Sequence, residues 1–299
     1  MQIFSGSSNR GLAEKIAGLM GSKLGLMDIT QFANGETRVW VREKKIEKQI
    51  VVVQSLSTPT NEHLIELCLI CDALHREGAT EITAVIPWMG YSKQDKVFRS
   101  GEPLSCKVVA QILQTAKIAK IVTIDLHNHS TLGFFDIPIV ELSAKPLLRE
   151  YFVNFAGVVV APDAGAVKAS TEFAEALGVE VVYVDKRRDL ASGKVSVVGM
   201  SGSVRAKDIL MMDDNVFTGS TLLQTTKELK KAGARSIRVG LTHHLYVPGV
   251  QERLENSEID EIVVTDTVSA QSKIPNSQIL KFQKLKILSV AQMIVDELK

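Results

Sequence analysis

The sequence predicts an α/β fold of two similar domains, each built on a parallel sheet. Three observations carry that prediction. Short apolar runs rich in Val and Ile recur along the 299-residue chain, and they are continuous rather than alternating, as in strands covered on both faces. Amphipathic stretches separate them, giving the strand–helix–strand order of parallel sheets. The chain also repeats itself in form. "QIVVVQSLSTPTNEHLIEL", leading to "HREGATEITAVIP", parallels "DILMMDDNVFTGSTLLQTT", leading to "KKAGARSIRVGLT".

Strands are read at Ile50–Val53, Ile82–Ile86, Ile121–Ile124, Val158–Val160, Val181–Val184, Ile209–Met212, Ile237–Leu241 and Ile262–Val264. Helical spacing marks Leu104–Thr115, Val167–Leu177 and Leu222–Ala232. It also marks "EHLIELCLICDALHREG", where Leu64, Leu67, Cys68, Cys71 and Leu74 share a face. Each copy of the repeat runs strand, hydroxyl-rich loop, helix, Gly-Ala turn and strand, with turns at Gly78-Ala79 and Gly233-Ala234. A further strand then ends in Asp125 ("KIVTIDLH") or Asp266 ("EIVVTDTV"). The polar, Pro-containing "ELSAKPLLREY" punctuates the boundary. The division expected is 1–145, joined by the closing strand-and-helix segment 284–299, and 146–283.

Composition excludes several function classes. Net charge is +1 with both signs intermixed, so there is no electrostatic case for nucleic acid or an anionic membrane. No apolar run approaches the roughly 20 residues that span a bilayer, and "MQIFSGSSNR" lacks a signal-peptide pattern. A soluble cytoplasmic protein is expected. The three cysteines, Cys68, Cys71 and Cys106, make no disulfide framework. Cys68 and Cys71 lie mid-helix rather than at a helix start, where a redox pair gains its low thiol pKa, so they read as core.

Residues 209–221, "ILMMDDNVFTGST", pose the main chemical question. An apolar run ends in two adjacent carboxylates, Asp213 and Asp214, and a hydroxyl-rich turn, Thr218-Gly219-Ser220-Thr221, opens the next helix. Ligands of parallel α/β sheets sit beyond the carboxyl ends of the strands. There the acids suit sugar hydroxyls or a water-mediated Mg²⁺. Free N–H groups and hydroxyls at the helix start suit a phosphate. The turn is not a Walker loop, because no Gly-Lys-Ser/Thr closes it. Solvent-facing acids before an ordinary helix cap are the plainer alternative.

An apolar run, two acids and a Thr-rich loop resemble the phosphoribosyl-diphosphate motif of type I phosphoribosyltransferases, whose domains are Rossmann-like. Further stretches narrow the resemblance: "PWMGYSKQDKVFRSGEP", "IVTIDLHNHSTLGFFDIP", "VVVAPDAGAVKAS", "VVYVDKRR" and "IVVTDTV". With "QIFSGSSNRGLAEKIA" at one end and "KILSVAQMI" at the other, nearly the whole chain resembles the ribose-phosphate diphosphokinase family. That resemblance implies transfer of the β,γ-diphosphoryl group of ATP to the 1-hydroxyl of ribose 5-phosphate. It implies Mg²⁺ as cofactor and a homo-oligomer, dimer or hexamer, with shared active sites.

The same resemblance assigns roles residue by residue. Asp213, Asp214, Thr218, Gly219, Ser220 and Thr221 match the ribose 5-phosphate site. Asp163, in "APDAG", matches a residue facing the ribose or a metal, and His127, in "DLHNH", one that binds Mg²⁺–ATP. Phe32, Asn34 and Glu36, in "QFANGET", match an adenine-holding loop that the family donates from a neighbouring subunit. Lys93, Gln94 and Asp95 match the nucleotide site. Lys186 and Arg188 match a catalytic pair on a flexible loop. Diphosphoryl transfer is mostly positioning and charge neutralisation, so cations are needed on the transferring group. Alternating along an extended segment, Lys186 and Arg188 reach one side. Taken alone, "DKRRD" reads as a solvated charge cluster.

Five features depart from the family pattern. Lys93 stands where Arg is usual, and the two are not interchangeable at a bidentate site. Ala166 adds a Cβ where a second glycine is usual. "HNHS" replaces a small residue and Gln after the histidine. Phe217 stands where Asp is common and is expected to pack near Leu222. "RSGEPLS" lacks the basic pattern of a regulatory loop, so control by ADP and phosphate is not expected. A non-catalytic synthetase-like partner and a phosphoribosyltransferase remain as alternatives. The doubled architecture counts against the second.

Overall fold

The computed structural model describes residues 1–188, 195–270 and 282–299, without the side chains of 186–188 and 195–198. The chain divides into two compact units. One holds Met1–Ser143, Asp266–Ser272 and Ser289–Lys299; the other holds Ala144–Thr265 and Lys273–Leu288.

In the first unit, β1 (Gln2–Ser5), β4 (Gln49–Val53), β5 (Glu81–Ile86), β6 (Lys120–Ile124) and β7 (Ile139–Leu142) form one sheet in that order. Every neighbouring pair is parallel. The strands are short, β-branched and buried along most of their length, for example Val51, Val52 and Val53 of β4, which suits strands covered on both faces. Helices α1 (Arg10–Leu19), α2 (Thr60–Arg76) and α3 (Ser105–Thr115) cover the sheet. Asn9 caps α1 by accepting the Leu12 N–H at 3.4 Å. Leu64, Leu67, Ile70, Cys71 and Leu74 form the buried stripe of α2. Cys71 is fully buried and Cys68 packs beside it; burial pushes both thiols up, so they are protonated core groups.

Outside that sheet, β2 (Met27–Gln31) and β3 (Thr37–Val41) form an antiparallel hairpin. Alternation sends Met27, Ile29, Val39 and Val41 onto the core and leaves Trp40 exposed. The segment after β13 (Glu261–Thr265) belongs to this unit. Asp266 takes Lys15 Nζ at 2.7 Å and the Val290 N–H at 2.8 Å, and its carbonyl accepts Asn9 Nδ2 at 2.7 Å. Asp266, the counterpart of Asp125 in the repeat, is thus engaged in fastening the chain. The C-terminal helix Ala291–Leu298 packs on α1.

The second unit has a seven-stranded sheet: β10 (Val195–Met200), β9 (Glu180–Arg188), β8 (Val158–Ala161), β11 (Asp208–Val216), β12 (Ser236–His244), β13 and β14 (Leu285–Leu288), in that order. All pairs are parallel except β9 with β10, so one edge departs from the parallel pattern read in the sequence. Strand β14 pairs with β13 here, so the closing segment joins the first unit only from Ser289. Helices α4 (Lys145–Tyr151), α5 (Val167–Leu177), α6 (Ser220–Lys231) and α7 (Val250–Glu255) complete the unit. Alternate residues of β11 serve two cores: Ile209 and Met211 join one, Leu210 and Met212 the other. Gly240 is required opposite Met212, because a Cβ there would lie 2.6 Å from its Sδ.

Candidate active site

The carboxylates of the second unit sit where strand lengths differ. Strand β8 ends at Ala161 and pairs with β11 only from Ile209 to Met211. Strand β12 runs on beside β11 as far as Val216, opposite His244. Asp213 and Asp214 therefore lie inside β11 rather than at its end, a correction to the sequence reading. The long partner β12 supplies hydrogen bonds to one edge of β11. The other edge opens past the end of β8, where Asp163 stands.

These acids crowd one another. The Asp214 N–H donates to Asp213 Oδ1 at 2.8 Å. Asp163 Oδ1 accepts the Ala166 N–H at 3.1 Å and so caps the short 3₁₀ turn Ala164–Ala166. Asp213 as a residue is exposed, yet desolvation of its carboxyl among the neighbouring acids pushes it above the usual carboxylate range. A hydrogen bond with Asp214, the charge of Asp214 and the charge of Asp163 push the same way. A depression beside them is lined by Asp163, Gly165, Tyr183 and Asp185. Tyr183 and Asp185 were missed in the sequence; they lie in "VVYVDKRR" just before the cationic pair, and only the strand register brings them here.

Beyond β11, the Thr218–Thr221 turn enters α6. Gly219 caps the helix in the left-handed region, φ +68. A Cβ there would meet Leu254 only at ordinary contact distance, 3.4 Å, so glycine is needed for conformation rather than for space. Thr218 Oγ1 lies 3.2 Å from Ser220 Oγ, and Arg253 donates Nη2 to the Thr218 carbonyl at 2.6 Å. Nothing in the sequence pattern marked Arg253, because α7 reaches the turn only through tertiary packing. Thr218, Ser220 and Thr221 are exposed at a helix N-terminus, an arrangement that accepts an anion. Leu222 is in the core, and Phe217 is 36% exposed.

Lys186 and Arg188 fall in β9, paired with Val197 and Val195 of β10. Their backbone is a strand rather than a loop. Their side chains lie outside the described residues.

The first unit brings together a second set. Asp95 Oδ2 accepts Asn128 Nδ2 at 2.6 Å, so the turn holding Lys93, Gln94 and Asp95 meets the turn holding the exposed His127. Phe32, Asn34 and Glu36 form the exposed tip of the β2–β3 hairpin. The Phe32 N–H donates to the Glu36 carbonyl at 2.8 Å, and Asn34 Oδ1 accepts the Glu36 N–H at 3.2 Å. Gly35 turns the chain at φ +88. The Arg38 guanidinium lies 5.9 Å from the Phe32 ring.

Fold and site together define a class: an α/β protein of two sheet units, mostly parallel, with acids clustered beyond the end of β8 and a hydroxyl-rich turn at the start of the helix that follows β11. Residues 1–116 match the N-terminal domain of ribose phosphate pyrophosphokinase, and residues 191–299 match the phosphoribosyl synthetase-associated domain. The chain is 37% identical over 300 residues to a ribose-phosphate pyrophosphokinase of Thermotoga maritima, covering 98% of this chain and 92% of that one. It is 36% identical over 304 residues to ribose-phosphate pyrophosphokinase 2 of Enterococcus faecalis, covering 100% and 92%. The crystal structure of phosphoribosylpyrophosphate synthetase from Mycobacterium smegmatis superposes with a TM-score of 0.87 at 31% identity, covering 99% of this chain and 96% of that one. The chain belongs to the ribose-phosphate pyrophosphokinase family and is an enzyme of that family.

Proposed function

We propose that the protein transfers the β,γ-diphosphoryl group of ATP to the 1-hydroxyl of ribose 5-phosphate, giving 5-phosphoribosyl 1-diphosphate and AMP. The observation that carries this is the continuity of Asp213–Asp214 with the Thr218–Thr221 turn. Acids able to accept sugar hydroxyls stand a few residues before a turn able to hold the sugar's phosphate. The second unit is the ribose 5-phosphate side. The first unit is the ATP side, with Gln94, Asp95 and His127 near the phosphates and the hairpin tip on adenine. The 1-hydroxyl oxygen attacks Pβ, the bond from the α,β-bridging oxygen to Pβ breaks, and AMP leaves with that oxygen. The hydroxyl proton passes to solvent or to a nearby base. Lys186 and Arg188 neutralise charge on the transferring group in the transition state.

Mg²⁺ fits this donor set. Among the described residues, no three His, Cys, Asp or Glu side chains are arranged to hold a metal by themselves. Mg²⁺ is ordinarily held by one or two carboxylates together with substrate oxygens. His127 would help to hold Mg²⁺ with ATP, Asp163 would face the ribose or a second Mg²⁺, and the metal would supply positive charge against the triphosphate. The hairpin tip, exposed in its own unit, supports a homo-oligomer in which Phe32, Asn34 and Glu36 serve a neighbour's site. Among the described residues no helix is long and apolar enough to cross a membrane, and we place the enzyme in the cytoplasm with its substrates.

The test is AMP release from ATP. It is expected to need both ribose 5-phosphate and Mg²⁺. Nucleotide binding without turnover would instead make the chain a non-catalytic partner.

A further inference from the structure

Strand β6 ends at Ile124, and the chain then turns through Asp125 in the left-handed region, φ +37. That is a costly conformation for a residue with a Cβ, so something outside the turn must hold it. Strand β7 and the residue after it do so. The Asp125 N–H donates to the Leu142 carbonyl at 3.0 Å, and Ser143 Oγ donates to Asp125 Oδ1 at 2.9 Å. Glu141 adds two bonds from one carboxylate. Its Oε1 accepts the Leu126 N–H at 2.7 Å and its Oε2 accepts His129 Nδ1–H at 2.5 Å. The side chain of Glu141 is only 15% exposed, against 80% for His129. A largely buried carboxylate thus holds the Leu126 backbone just before the exposed His127 and the His129 side chain two residues after it.

The other side of the turn is held by Asn128, whose amide is used at both ends. Its Oδ1 accepts the Ser130 N–H at 3.0 Å, and its Nδ2 donates to Asp95 Oδ2 at 2.6 Å. Asp95 follows a turn that is itself fixed to α3: Ser105 Oγ donates to Gln94 Oε1 at 2.7 Å, and the Cys106 N–H donates to the Gln94 carbonyl at 3.1 Å. A continuous path of hydrogen bonds therefore runs from β7 through the His127 turn and Asp95 to α3.

We propose that Glu141 and Asn128 are positioning residues for ATP: Glu141 ties down the Leu126 backbone before His127 and the His129 side chain after it, and Asn128 fastens the His127 turn to the Gln94–Asp95 turn. The two turns then present their ligand groups as one rigid unit. The proposal rests on the nucleotide reading of these turns given above.

Steady-state kinetics of the full-length enzyme test it, with both substrates varied and melting temperatures measured in parallel. Asn128→Ala should raise the KM for ATP by about ten- to hundredfold, the usual cost of losing a residue that orients a ligand group. The KM for ribose 5-phosphate should move less than about twofold, and the melting temperature should hold. Because Asn128 and Asp95 act as a pair, Asp95→Ala with Asn128→Ala should be no worse than the more damaged single variant. Glu141→Gln, whose amide oxygen still accepts the Leu126 N–H, should recover most of what Glu141→Leu loses. If Glu141→Leu does not fold, the half-buried Asn128 decides alone. Equal effects on both substrates, an unchanged KM for ATP, or additive losses in the double variant overturn the proposal. ATP binding to the wild type and to His127→Ala, by calorimetry, separates the two levels. No binding to the wild type removes the nucleotide reading and the proposal with it. Binding that His127→Ala weakens and Asn128→Ala does not removes the proposal alone.

Discussion

Asp213 shows what crowding does to a carboxylate. Its carboxyl is raised by burial and by Asp214 and Asp163, so the folded protein retains a proton that the unfolded chain, with an Asp near about 3.9, releases. Stability tied to that proton is fully present below the unfolded value and is lost as pH rises through the folded one. Asp213→Asn, uncharged throughout, should therefore melt higher than wild type by more at about pH 8 than at about pH 4. The size expected is about 2–4 °C per kcal/mol relieved. The same substitution should weaken ribose 5-phosphate, since a cation or sugar hydroxyls need the charged form. A pH-independent difference in melting temperature would show that the three acids do not burden one another. Lys186→Ala should act on the chemical step, lowering kcat by about 10²–10³-fold with little change in either KM. A large rise in KM at constant kcat would recast the strand as a binding clamp. Phe217→Asp, at an exposed position, should change kcat/KM for ribose 5-phosphate by no more than about tenfold, or roughly 1.4 kcal/mol.

Elements differ in how plainly the sequence announces them. β4, β5, β6 and β8 were legible because continuous runs rich in Val and Ile leave few other options, β11 because Ile209–Met212 is wholly apolar, and α5 because its apolar spacing is regular. The β2–β3 hairpin was not read as strands. Its alternation "MDITQ" and "TRVWV" is the mark of a half-buried ribbon, and Asn34-Gly35 is a turn signal, but "FANGE" drew attention as a ligand loop. Strand β10 escaped because an antiparallel edge has no helix before it. The extension of β11 past Asp213 could not be read at all, since it depends on the length of β12. Among site residues, those in local motifs were visible, whereas Arg253, Glu141 and Asn128 act through contacts distant in sequence. Gly219 joins the two levels. Gly219→Ala should cost roughly 1–2 kcal/mol for a left-handed residue with a Cβ and should raise the KM for ribose 5-phosphate more than that for ATP. A variant with unchanged sugar-phosphate affinity would show that the turn does not hold the phosphate.

For the whole molecule, the account places one substrate on each unit and draws the adenine loop from a neighbour. Activity should therefore fall on dilution together with the scattering mass, and a fully active monomer would contradict the shared site. The stretch "RSGEPLS" carries one basic residue, Arg99, whose N–H, with that of Phe98, donates to Glu102 Oε2 at 3.0 and 3.1 Å. This self-contained turn should leave the rate insensitive to inorganic phosphate, with ADP acting only in competition with ATP. Sigmoidal ADP inhibition relieved by phosphate would reveal a regulatory site elsewhere. The central claim is that the sugar hydroxyl takes the terminal diphosphoryl group as a unit, and label transfer from ATP tests it most directly. With ATP labelled at the β-phosphorus, ribose 5-phosphate and Mg²⁺, the account predicts label in the phosphoribosyl product and none in AMP. Label that appears in ADP, or that stays in ATP however long the enzyme is incubated, would contradict it.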